Sequence, residues 1–318
     1  MEKKNNFVII DSNAVVHRAF HALPPLTRGD GTIVNAVYGF LLVLFKIIKE
    51  FNPVCIVACF DLPEPTFRKQ AFAEYKAKRK KAPDELYAQL PMVKEALKAF
   101  NILILEKSGF EADDLIGTLS NPDNAAVPKN THKIIVSGDL DNLQLVSKNT
   151  EVYFLSRGVK EAVVYDEAAV KERYDGLSPK QMVDLRALRG DISDNIPGVK
   201  GIGEKTAIEL IKQYGTLTKV YKEAEKNDSK IRPAVREKLL SGKEAAILSY
   251  NLSNIDKNVP VDFSEAECEW GGCDKEKALG FLAKFGFKSL MNKIPCGENS
   301  VFSVPEQPKK VHENLKLW

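Results

Sequence analysis

The chain has 318 residues, 44% of them hydrophobic and 28% charged, with a formal net charge of +3. That composition excludes a disordered or fibrous chain and is long enough for two domains, each with its own core. So small a net charge makes no case for nucleic acid by itself, and the distribution of charge has to be followed instead. Five cysteines, at positions 55, 59, 268, 273 and 296, contain no C-x-x-C pair and do not suggest a disulfide framework, which makes a reducing cytoplasm the expected setting. Cys55 and Cys59 lie inside the apolar run VCIVACF and read as packing residues, while Cys268 and Cys273 lack a second pair for zinc. The first residues, MEKKNNFVIID, carry too short an apolar run for a secretion signal or a membrane span.

In chain order, Phe7 to Ile10 is a β-branched run that stops at Asp11, and Val54 to Phe60 is another that stops at Asp61. Lys133 to Val136 stops at Ser137-Gly138-Asp139. Continuous apolar runs bounded by turn signals and separated by helical stretches predict an α/β fold whose parallel sheet is covered on both faces. Ligands of such sheets bind beyond the carboxyl ends of the strands, so the three aspartates are expected to converge there. A fourth run, Ile102 to Leu105, leads into Glu111-Ala112-Asp113-Asp114, which predicts a helix with acids in its favoured first turn.

Between these strands, Val34 to Phe51 predicts a core helix containing Gly39, and Asp84 to Phe100 a second amphipathic helix. Residues 67–82, FRKQAFAEYKAKRKKA, hold seven Lys or Arg against one Glu, net +6, which leaves the remainder at −3. Phe67, Phe72 and Tyr75 are interleaved with those cations at spacings compatible with a helix. The loop 121–131 carries Pro122 and Pro128 and ends the helix before it.

Ser178-Pro179-Lys180-Gln181 has the form of a capping box that opens a helix running toward Arg189. Residues 188–207, LRGDISDNIPGVKGIGEKTA, then set Asp191 and Asp194 before a hairpin with glycines at 198, 201 and 203, followed by a helix from Glu204 to Tyr214 that Gly215 ends. Such a turn lets amides face outward at a helix start, where an anion is favoured. The expected division is 1–175 for the sheet domain, 176–295 for a mainly helical domain, and 296–318 for a linker or tail.

Nine acids are thereby expected at or near the crevice: Asp11, Asp61, Glu111, Asp113, Asp114, Asp139, Asp141, Asp191 and Asp194. Single acids at strand ends and in first turns are ordinary helix caps, but so many together are hard to place as solvated surface. Ionised carboxylates cannot share a pocket without cations, and an oxygen-only set selects Mg²⁺ or Mn²⁺ over zinc.

The segments FVIIDSN, ACFD, GFEADDLIG, VSGDLDNLQL and RGDISDNIPGVKGIGEKTA together resemble the bacterial 5′ nuclease family, which comprises the N-terminal domain of DNA polymerase I and its flap-endonuclease relatives. The similarity runs from about Phe7 to Leu290. It implies a PIN-like nuclease domain with a helical arch, followed by a domain containing a helix-three-turn-helix. It also implies that all nine acids hold metal, Asp11, Asp61, Glu111, Asp113, Asp114 and Asp139 at the inner site and Asp141, Asp191 and Asp194 around a second.

In the same resemblance the basic stretch is the arch, where Tyr75 contacts DNA and Lys76 and Arg79 stabilise charge at the scissile phosphate. Arg18 matches a phosphate-steering position and Lys205 a contact to duplex phosphates. Gly198, Val199, Gly201, Ile202 and Gly203 form the backbone-binding turn, in the family often with a bridging K⁺. The implied reaction is two-metal-ion hydrolysis of DNA at a 5′ flap, nick or gap in replication and repair, by a cytoplasmic monomer with no membrane contact, alone or joined to a DNA polymerase domain or subunit. Alternatives are a non-catalytic junction-binding module and a PIN-type RNA nuclease. Ser137, where the family usually has Thr, is a departure expected to touch no proposed ligand.

Overall fold

A computed structural model describes residues 5–124, 127, 129–159, 161–226 and 229–295. The expected tail, 296–318, and part of the 121–131 loop lie outside the described residues. Six strands form one sheet: β1 (Asn6–Asp11), β2 (Cys55–Cys59), β3 (Leu103–Leu105), β4 (His132–Ser137), β5 (Thr150–Arg157) and β6 (Glu161–Tyr165), in the order β3-β2-β1-β4-β5-β6. The first five are parallel, with Phe7 opposite both Cys55 and Lys133, and β6 closes the edge antiparallel to β5.

Both faces of the central strands are buried, which is why they read as unbroken apolar runs. Phe7 and Ile9 face the helix Ala112–Ser120, while Val8 and Ile10 face the helices Ser12–Ala22 and Asn35–Phe51. Gly39 permits those last two helices to meet, since a Cβ there would lie 2.7 Å from Ala19 Cβ.

The predicted helix from Asp84 to Phe100 is two, Asp84–Tyr87 and Leu90–Ala99. Pro91 has no N–H to continue the first ladder, so the chain breaks before it. Gln89, at the break, is buried and turns its Oε1 onto the N–H groups of Ala36 (2.8 Å) and Val37 (3.3 Å), capping a helix whose own N-cap side chain makes no such bond.

The stretch expected as a helical arch is helical only over Phe67–Ala71 and continues as turns. Phe72 is extended, and Lys76 sits in the left-handed region at φ 55°, which a continuing α-helix does not admit. Strands β5 and β6 were not anticipated. The signal for β5 is the apolar run VYFL within EVYFLSR, in which Val152, Tyr153 and Leu155 are buried.

The second unit begins with the capping box at Ser178, a 3-10 turn Pro179–Gln181 and the helix Met182–Arg189. The hairpin and the helix Glu204–Tyr214 follow as expected. The stretch left unordered from sequence holds the helices Pro233–Ser241, Lys243–Ser253, Glu265–Cys268, Lys275–Lys284 and Lys288–Met291. Leu185, Leu188, Val199 and Ile211 share one core with Ile9, Leu115 and Ile135, so the helical unit packs on the sheet side that carries the acid helix. The last helices return to the opposite face, where Phe281 and Leu290 join Phe40 and Phe100. Cys55, Cys59 and Cys268 are free and buried, and Cys273 is disulfide-bonded. Among the described residues no helix is long and apolar enough to cross a membrane.

Candidate active site at the carboxyl edge of the sheet

Five of the nine acids meet in one cleft of about 700 Å³. Asp11 is the last residue of β1, Asp61 and Asp139 follow β2 and β4 by two residues, and Glu111 and Asp113 open the helix Ala112–Ser120. Each is fixed by local bonds. Asp11 accepts the Ala14 N–H (3.1 Å) and the Ser137 hydroxyl (2.6 Å), and Ser137 Oγ in turn accepts the Asp139 N–H (2.9 Å). Ser137 therefore does touch two proposed ligands, contrary to the sequence expectation. Asp61 accepts the Ala112 N–H at 2.8 Å, and Asp113 accepts Nδ2 of Asn142 at 3.1 Å.

Burial pushes the Asp11 carboxyl up to about 7 against those two hydrogen bonds, and Asp61 and Asp139 add to the rise. Asp113 is driven well above the usual carboxylate range by burial and then by Asp11 and Asp139. Asp61 is raised chiefly by burial. Carboxylates that crowd one another in a desolvated cleft favour a multivalent cation, and their oxygens suit Mg²⁺ or Mn²⁺. Among the described residues, no three acid, His or Cys side chains are grouped closely enough to hold a metal ion by themselves.

The other four acids are held by arginines. Asp114 takes a two-pronged pair from Arg68, 2.7 Å on each oxygen, together with the Asp256 N–H at 2.9 Å, and is fully buried. Its carboxylate is spent on the joint between the Phe67–Ala71 helix, the acid helix and the segment after Ser253, and does not line the cleft. Arg186 pairs with Asp141 and lies 3.4 Å from Asp191. Burial opposes the charge on Asp191, but the Ser193 hydroxyl at 2.6 Å and Arg186 bring its carboxyl below the ordinary range. Asp194 accepts Nε (2.9 Å) and Nη2 (2.5 Å) of Arg79.

The basic stretch lies across the cleft. Glu111 Oε2 receives Lys76 Nζ at 3.0 Å, the Tyr75 hydroxyl at 3.1 Å and Arg68 at 3.4 Å. Burial draws the Lys76 ammonium down, but Glu111, Tyr75 and Asp194 together outweigh it and the net shift is upward. The Lys76 N–H donates to the Asp194 carbonyl at 2.9 Å, and Asn195 Nδ2 to the Glu74 carbonyl at 2.7 Å, so the stretch is pinned to the second unit. Tyr75 is buried with Ile196 and Leu252. Its ring is packing here, not an open platform for DNA. Arg18 lines the cleft under tether from the carbonyls of Gly138 (3.1 Å) and Ser156 (3.4 Å).

In the hairpin, Gly198 has φ 61°, and a Cβ there would lie 2.3 Å from the Gly190 nitrogen, so only glycine fits. Its N–H donates to Ser249 Oγ, that of Val199 to the Leu188 carbonyl and that of Ile202 to the Val199 carbonyl. Those three amides are spent inside the protein. Lys200, Gly201, Gly203 and Lys205 form the exposed face. Sequence reasoning missed Arg68, Ser137, Asn142 and Arg186. Only Arg186 gave a signal, as a cation within the buried run of the helix that leads into Asp191.

A family model described as the 5′-3′ exonuclease N-terminal resolvase-like domain matches residues 6–175, and its C-terminal SAM-fold partner matches 177–276. The chain belongs to the 5′-3′ exonuclease family. The DNA polymerase I of Bacillus caldotenax is 40% identical over 291 residues, which are 92% of this chain and 32% of that protein. The chain thus spans about a third of the length of the curated relatives it matches. A flap endonuclease of bacteriophage T5, solved as a pseudo-enzyme-product complex with DNA and metal ions, shares the fold at TM-score 0.64 and 17% identity, covering 91% of this chain and 96% of its own. The catalytic core of Rad2, solved with a DNA substrate, aligns at TM-score 0.57 and 20% identity over 89% of this chain and 87% of its own.

Proposed function

We propose that the chain is a structure-specific 5′-3′ exonuclease and flap endonuclease, which hydrolyses DNA phosphodiester bonds beside junctions of duplex and 5′ single strand and leaves a 5′-phosphate and a 3′-hydroxyl. The observation that carries this reading is the cleft in which Asp11, Asp61, Glu111, Asp113 and Asp139 face Lys76, Arg79 and Arg18. The five acids would hold divalent ions, Mg²⁺ with Mn²⁺ as a substitute, which would supply an activated water and charge stabilisation for the in-line displacement. Lys76 and Arg79 stabilise charge developing on the phosphate, and Arg18 steers the strand toward it. The exposed hairpin face with Lys205 grips duplex backbone without reading sequence, and would hold a K⁺ there.

The division of labour follows residues 1–175 for chemistry and 176–295 for grip, in a cytoplasmic monomer that acts beside or within a DNA polymerase. Incubation of a labelled 5′-flap duplex with the protein and Mg²⁺ tests this. The expected products map to the junction and require the metal. A flap that stays whole while bound overturns the enzymatic reading, and equal cutting of RNA overturns the substrate.

A further inference from the structure

We infer that Asn142 is a positioning residue for the acid cleft, a buried amide that fixes the carboxylate of Asp113 from behind and so sets how firmly the cleft binds a divalent ion. The inference rests on the nuclease reading above and adds to it a residue that touches no substrate. Asn142 lies on the 3-10 helix Leu140–Leu145, which Leu143 and Leu145 anchor in the shared core. It is fully buried and does not line the cleft. Its Nδ2 donates to Asp113 Oδ1 at 3.1 Å and to Ser137 Oγ at 3.4 Å. Ser137 in turn holds the Asp11 carboxylate and the Asp139 N–H. Two neutral side chains thus tie together acids from β1, from the helix Ala112–Ser120 and from the turn after β4.

An amide is a costly choice for that place. Among the described residues its Oδ1 meets no hydrogen-bond donor, although the atom is buried, and an unpaired buried acceptor is unfavourable where an apolar side chain of the same shape is not. Packing therefore does not account for an asparagine between Asp141 and Leu143. The orientation is fixed by charge, because turning the amide over would set Oδ1 against the Asp113 carboxylate. What Nδ2 supplies is direction. Asp11, Asp61, Glu111, Asp113 and Asp139 repel one another across the cleft, and a carboxylate on a free rotamer turns away from its neighbours. One donor on Oδ1 stops that rotation and leaves the other lone pairs of Asp113 for an ion and its waters.

Mn²⁺ binding to the full chain, followed by paramagnetic resonance and calorimetry with the metal alone as probe, tests this beside melting in chelator. Asn142→Leu is expected to weaken binding about 10- to 100-fold and to melt at or above the wild-type temperature, since it removes the unpaired oxygen. In cleavage of a 5′ flap the same variant is expected to need more Mg²⁺ for half its maximal rate and to regain most of the wild-type rate at saturation. Unchanged Mn²⁺ affinity overturns the inference and leaves the nuclease reading in place. So does weakened affinity accompanied by a marked fall in melting temperature, which is the mark of a merely structural residue. If Asn142→Leu does not fold, Asn142→Met, whose unbranched side chain adapts to the space, decides by the same two measurements. A wild-type chain that binds no Mn²⁺ overturns both readings.

Discussion

Glu111 concentrates three donors on one oxygen, and Lys76 is the most exposed of them. The geometry places that ammonium over the acid cleft while its backbone is tied elsewhere. Lys76→Ala is therefore expected to lower the cleavage rate by roughly 10²- to 10³-fold and to change flap affinity little, as read by single-turnover kinetics beside equilibrium binding. Lost affinity with intact turnover would remove Lys76 from its assigned role. At this scale the sequence was readable where a residue type ends a strand or opens a helix, as with Asp11, Asp61, Asp139 and Glu111. It was silent on pairing. Arg68 and Arg186 neutralise acids 46 residues on and 45 residues back along the chain, and nothing local marks either partner.

Elements were legible in proportion to how far their own sequence determines them. The hairpin and its following helix emerge as expected because glycine, capping and periodicity act within a few residues. The basic stretch does not, since its shape after Ala71 is set by docking onto Asp194, Asn195 and Leu252 and not by its own periodicity. Gly198→Ala tests the hairpin. Strain at positive φ plus a Cβ overlapping the Gly190 backbone is expected to cost at least ~2 kcal/mol in urea unfolding, with duplex binding reduced in the surviving folded fraction. A loss under 0.5 kcal/mol, inside the range of an ordinary surface change, would mean that the turn can shift to make room.

Taken whole, the molecule holds several raised carboxyls that no fixed cation fully offsets. Asp11, Asp61 and Asp113 have folded-state pKa values above the unfolded value of about 3.9. Groups of this kind favour the folded state fully only below that unfolded value, and their contribution is lost as pH rises, for Asp11 through about 7. In chelator, the melting temperature is expected to fall between pH 6 and roughly pH 8, and added Mg²⁺ to restore more of it at the upper end. A metal effect that is larger at pH 6 would contradict this assignment of the charges.

The contacts between residues 74–79 and residues 194–195 join the grip to the reaction centre through a handful of hydrogen bonds. Thermodynamic linkage then imposes a reciprocity: by whatever factor duplex binding alters cation affinity, the cation alters duplex affinity by the same factor. Asn195→Ala cuts one strand of that coupling, the bond to the Glu74 carbonyl, without removing a cleft acid or a hairpin amide. It is expected to bring the shared factor toward unity while each separate binding constant stays near its original value, measurable as Mn²⁺ affinity with and without DNA.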